Sequence, residues 1–195
     1  MEFIQTYIQR ISTHLQLQGF LFEALPDLNG IRALLYARSR RPYPVPFARV
    51  VDHFLFLDWQ EHLSARKDRL IETYWLFNRQ VNRQFHVPHI FRLTIPGMAV
   101  IAISTRGFDT EAIEHAENTY EVPFKGGEVG QYLLVDLAKK DVFYHRGYVF
   151  EQPGESPLRA AQRVLVPALV DCLRDDYTVP WKRPAGETFP VNPYR

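Results

Sequence analysis

The window from Met98 to Tyr120, "MAVIAISTRGFDTEAIEHAENTY", limits the fold more than any other part of the chain. Met98 to Ile103 are apolar without alternation, which describes a strand covered on both faces. The run stops at Thr105-Arg106-Gly107-Phe108, where Gly107 permits a sharp turn because glycine enters left-handed backbone without a Cβ penalty. Asp109 stands where its carboxylate can cap a helix, and Glu111 adds negative charge near the positive end of the helix dipole. Ala112, Ala116 and Tyr120 recur every four residues, so the helix lies close against the sheet. A doubly covered strand with a helix folded back on it calls for a mixed sheet with helices on both faces.

The remaining segments fit that plan. Ile4, Tyr7, Ile8, Ile11 and Leu15 share one helical face, and Gly19 follows as the C-terminal cap. "FLFEAL", "IRALLYARSR" and "ARVVDHFLFLDW" read as three strands of an antiparallel meander, joined through the turn formers of "PDLNG" and the prolines of "RPYPVPF". Ser64 is the expected N-cap of a long helix to about Phe85, with Leu70, Tyr74, Phe77 and Val81 inward. Thr73 to Phe77, "TYWLF", is helix core on this reading. "HVPHIFRLTIPG" reads as a connector. "QYLLVDLAKKDVFYH" is one bent strand or a hairpin turning at Lys139-Lys140. Ser156-Pro157 opens a last helix, and Pro167 falls inside it, where a kink is expected. Residues 1–174 therefore read as one α/β domain, and residues 175–195 as an extended tail rich in proline and aromatic residues.

A chain of 195 residues, 46% hydrophobic, can bury a full core as one domain. Its formal charge of +1 gives no global preference for nucleic acid or an acidic membrane. Residues 31–95 nevertheless hold eleven basic against five acidic side chains. That asymmetry suits a nucleic-acid face, although a solvated helix face is its commoner origin. Cys172 is the lone cysteine and cannot form an intramolecular disulfide; beside Leu169 and Leu173 it reads as a buried small apolar residue. Glu2, Arg10 and His14 lie within the helical pattern of residues 1–20, unlike a secretory leader, and no apolar run reaches membrane-spanning length. The expectation is a cytoplasmic protein without a membrane segment.

The order helix, three-stranded meander, crossing helix, strand, helix resembles the restriction-endonuclease-like superfamily, the PD-(D/E)XK nucleases, and its Mrr-type branch in particular. "VIAISTRGFDTEAIEHA" is similar to the second half of that pattern: a strand ending at Thr105, the Gly107-Phe108 step, then a helix with Ala112 and Ala116 four apart. The resemblance implies a three-layer α/β/α fold. It also implies an active site with one Asp near the start of the second strand and an acidic-x-Lys triplet ending the third. Two carboxylates would hold Mg2+ or Mn2+, and the ion would lower the pKa of its bound water. Asp27 and Asp58 match the two carboxylates. Gln60 stands where the lysine belongs and carries no positive charge, while Lys67, nine residues after Asp58, offers a lysine from another position. Pro26-Asp27 is also an ordinary turn pair, and Asp58 an ordinary strand-end acceptor.

Other constellations carry less. His86 and His89 flank Pro88 with no nearby cysteine or carboxylate, so they make a poor metal site. Asp52 and His53 are adjacent on a strand and point to opposite faces. "KGGEVG" lacks the spacing of a phosphate-binding loop. Arg38, Arg40, Arg41 and Tyr43 fall in a solvent-facing hairpin, where arginines can contact phosphates and an aromatic ring can stack on a base; a solvated loop has the same composition. The leading reading is a catalytically weak or inactive restriction-endonuclease-like domain used in binding or assembly, with nucleic acid a candidate partner. The runner-up is an active metal-dependent nuclease cleaving phosphodiesters. The third is an α/β interaction module whose tail docks on a protein partner or a second copy.

Overall fold

The structure, a computed structural model, describes residues 2–28, 30–42, 49–59, 67–83, 94–121, 129–146 and 157–178. Helix α1 spans Glu2–Leu17. It buries Ile4, Tyr7, Ile11 and Leu15, the spacing of a single helical face. Gly19, at φ 86°, then turns the chain, with its N–H donating to the Gln16 carbonyl.

Three strands follow: β1 (Leu21–Phe22), β2 (Ala33–Pro42) and β3 (Arg49–Asp58). Both pairings are antiparallel, so the meander forms as the sequence predicts. Strand β1 is shorter than "FLFEAL" suggests, although the Glu23 N–H still donates to the Tyr36 carbonyl of β2 at 3.0 Å. Strand β2 is as long as "IRALLYARSR" but lies two residues further along, so Arg38, Arg40 and Arg41 all fall within its pairing to β3. The arginines thus belong to an arm of the hairpin and not to its tip.

From β3 the chain crosses through α2 (Lys67–Arg83) to β4 (Thr94–Ser104), which lies parallel to β3. Strand β4 takes in Thr94 to Gly97, which read from sequence as connector. Pro96 stands opposite Val51 of β3, and among the described residues the pairing of β4 with the next strand starts at Gly97. After β4 come α3 (Thr110–Asn118) and the short β5 (Tyr120–Glu121), so Tyr120 is a strand residue rather than the last turn of α3. Strands β6 (Val129–Asp136) and β7 (Asp141–Tyr144) resolve the alternatives for "QYLLVDLAKKDVFYH" as a hairpin, with Lys140 at φ 55° in its turn. Helix α4 (Pro157–Cys172) completes the order and contains Pro167. Ser64, Ser156, His86, His89 and the tail beyond Thr178 lie outside the described residues, as do the first residues of "KGGEVG".

Among the described residues the sheet has seven strands in the order β1-β2-β3-β4-β6-β5, with β7 also paired to β6. Strands β3, β4 and β6 are parallel neighbours, while β2, β5 and β7 run against the strands they pair with. Two successive crossovers step in the same direction across the sheet, β3 to β4 and β4 to β6. With both of one hand, their helices fall on one face. The cores agree: α2 and α3 share a cluster with Leu55, Val100 and Tyr132, whereas α1 and α4 share the opposite cluster with Phe54, Ile101 and Leu133. The central strands are apolar on both sides for this reason. Each fully covered Leu or Phe contributes roughly 2 kcal/mol relative to exposure.

Candidate functional site

Asp58 closes β3 at the carboxyl end of the parallel strands, where the turn residues of an open α/β sheet can gather around a ligand. Its backbone N–H donates to the Arg32 carbonyl at 3.0 Å, and its Oδ2 lies 3.9 Å from Arg32 Nη1. The Asp58 side chain is only 9% exposed, while that of Arg32 is half exposed. A guanidinium at the entrance to β2 therefore compensates a carboxylate that burial would otherwise leave costly.

Asp27 lies in the segment between β1 and β2, and its carbonyl accepts a hydrogen bond from Gln80 Nε2 of α2. The structure thus ties Asp27 to α2 and Asp58 to the start of β2. Lys67 is the first residue of α2 and is exposed. Gln60 lies outside the described residues. Among the described residues, no group of three or more His, Cys, Asp or Glu side chains could hold a metal ion.

Two further polar residues end the parallel strands beside Asp58. Ser104 closes β4 and pairs in register with Asp136, which closes β6. Asp136 is fully buried. Its Oδ1 accepts from the backbone N–H groups of Ala138 and Lys139, each at 3.0 Å, which fixes the β6–β7 turn. Its Oδ2 has no hydrogen-bond partner among the described residues and lies 4.0 Å from Lys139 Nζ. The same oxygen faces Gly107, where a Cβ would stand 3.1 Å from it. Ser104 Oγ accepts from the Arg106 N–H at 3.0 Å. Asp136 thus joins the β4–α3 turn to the β6–β7 turn.

Sequence reasoning singled out Asp58 and passed over Asp136, although both end an apolar strand in the same manner: "FLFLD" and "YLLVD". Strand alternation separates them. Asp58 continues the series Phe54, Phe56 toward α1 and α4; Asp136 continues Tyr132, Leu134 toward α2 and α3. The two side chains therefore leave the sheet on opposite faces.

The arginine arm has its own chemistry. Arg38 Nη2 pairs with Glu23 Oε1 at 2.9 Å, and both side chains are more than a third exposed. Opposite Arg38 in register is His53, which is 1% exposed and shares a 2.6 Å hydrogen bond between its Nδ1 and the Tyr36 hydroxyl. Burial, reinforced by the Arg38 cation, pushes the His53 pKa down to about 3, so the ring is neutral at physiological pH. The backbones of Arg40 and Arg41 pair with Val51 and Val50. Their side chains, and Tyr43, lie outside the described residues.

Compared with protein-family models, curated proteins and solved structures, the chain shows no match. Among the described residues no helix is long and apolar enough to cross a membrane.

Proposed function

We propose that this chain is a restriction-endonuclease-like domain with weak or no catalysis, serving in binding or assembly. Its element order, a helix, an antiparallel meander, a crossing helix, then a strand turning at a glycine into a capped helix, supports the architectural half of this reading. The observation that carries the functional half is the Arg32–Asp58 pair. A divalent ion at Asp58 would have to compete with a guanidinium already compensating that carboxylate, and Gln60 supplies no charge to activate water.

Binding to nucleic acid falls to the β2 arm. Among the described residues a phosphate reaching Arg38 competes with the partly exposed Glu23, an exchange of one solvent-screened pair for another. Incubation of nicked and intact duplex with Mg2+ or Mn2+ is expected to give no cleavage, with Asp58→Ala indistinguishable from the natural chain. Metal-dependent cleavage that disappears in Asp58→Ala would overturn the reading in favour of an active nuclease. Duplex binding measured at two salt concentrations addresses the partner: it should weaken as salt rises and weaken further in Arg38→Ala. Absence of binding at low salt assigns the role to protein assembly instead.

A further inference from the structure

A groove of about 410 Å³ opens between the first turns of α1, the β6–β7 turn and the end of α4. Its lining includes neither Asp27, Asp58 nor the β2 arginines, and nothing in the proposed function uses it. Its volume falls within the range of small-molecule sites, roughly 300–1,000 Å³. Phe3, Leu137 and Leu173 supply an apolar wall. Phe3 is 83% exposed, an uncovered aromatic ring at the rim.

The charged groups are placed unequally. Arg10 is committed to structure: its Nη1 donates to the carbonyls of Cys172 and Arg174, and its guanidinium lies 5.0 Å from the Tyr177 ring centroid. Tyr7 is likewise committed, donating its hydroxyl hydrogen to the Leu169 carbonyl at 3.0 Å. Lys140 is different. Its ammonium holds both oxygens of Asp175, with Oδ1 at 2.6 Å. Asp175 lies just past α4, and its side chain is 88% exposed. This carboxylate occupies a cation at the edge of an apolar groove while remaining almost wholly in water.

We propose that the groove binds a small amphipathic carboxylate, its chain or ring along Phe3, Leu137 and Leu173 and its carboxylate on Lys140 in place of Asp175. The chemistry of recognition is already present within the molecule, because Asp175 is itself a carboxylate seated on that ammonium. Displacing it costs little. An exposed ion pair contributes little net stability, and Asp175 regains full hydration when it leaves. The incoming ligand keeps the same ion pair and adds apolar contact that Asp175 lacks.

The test is a titration with octanoate, read by calorimetry and by backbone amide shifts, with 1-octanol as the uncharged probe of equal chain length. Octanoate is expected to bind saturably in the millimolar range or tighter, with shifts centred on Leu137, Lys140 and Leu173. Lys140→Asn removes the charge while suiting the left-handed backbone at this position, and should weaken octanoate about fivefold. Asp175→Asn removes the internal competitor and should tighten octanoate severalfold. Neither change should alter octanol binding. Both side chains are substantially exposed, and an unchanged thermal midpoint verifies that the fold is intact. The proposal fails if octanoate does not saturate, if its shifts lie elsewhere, or if all three proteins bind it equally.

Discussion

His53 is a base buried where it cannot take a proton. Its pKa lies near 3 in the folded chain against an ordinary value of 6.5, burial being the larger cause and the Arg38 cation the lesser. Between pH 6.5 and about 3 the unfolded chain gains a proton at this ring and the folded chain does not. Stability is therefore full above that window and falls as pH is lowered through it, by about 1.4 kcal/mol for each pH unit. His14, its pKa lowered mainly by burial, adds a loss of the same sign. Urea unfolding at pH 7 and at pH 5.5 is expected to show this loss. His53→Gln, which can still face the Tyr36 hydroxyl and never titrates, should flatten most of it; an unchanged slope in that variant would reject the assignment.

At the scale of elements, Asp109 governs how α3 begins. Its carboxylate accepts from the Ala112 N–H at 2.7 Å, from a backbone in the extended region, and Gly107 makes the preceding turn at φ 84°. Asp109→Ala is expected to lower stability by about 1 kcal/mol, measured by denaturant midpoint. Asp109→Asn, which keeps an accepting oxygen, should recover most of the loss. This start was legible from the sequence because capping depends on residues within a few positions of each other. The same holds for the face of α1 and for the turn at Gly19. Contacts set by distant strands were less legible. The start of β4 at Thr94 follows from its pairing with Arg49 of β3, and Pro96 alone argues the wrong way. Asp136 is distinguished from any strand-end aspartate only by Gly107 and the β6–β7 turn closing over it. Asp58 is legible as the end of an apolar strand, yet its pairing with Arg32 and the face to which it points emerge only from the register of β2 on β3.

For the molecule as a whole, the two faces of the sheet are closed by helices of different origin. Helices α2 and α3 cover one face as part of the crossovers that build the sheet, whereas α1 and α4 cover the other from far apart in the chain. Cys172 reports on that second face. It is 1% exposed, and burial drives its thiol pKa up to about 12. Disulfide reagents such as dithionitrobenzoate are expected to label it slowly at neutral pH in the folded protein. Its labelling should accelerate in parallel with global unfolding across a urea series. Rapid labelling without denaturant would mean that α4 opens independently of the sheet.

Tyr7 reaches the Leu169 carbonyl across 162 positions of sequence. During synthesis, α1 leaves the ribosome long before α4 exists. The sheet face marked by Phe54, Ile101 and Leu133 must then wait for the last helix to cover it. Until then the nascent chain presents a broad apolar surface to the cell, an opening for chaperones and for association between neighbouring chains. The closing step of its birth is therefore also the step most exposed to error.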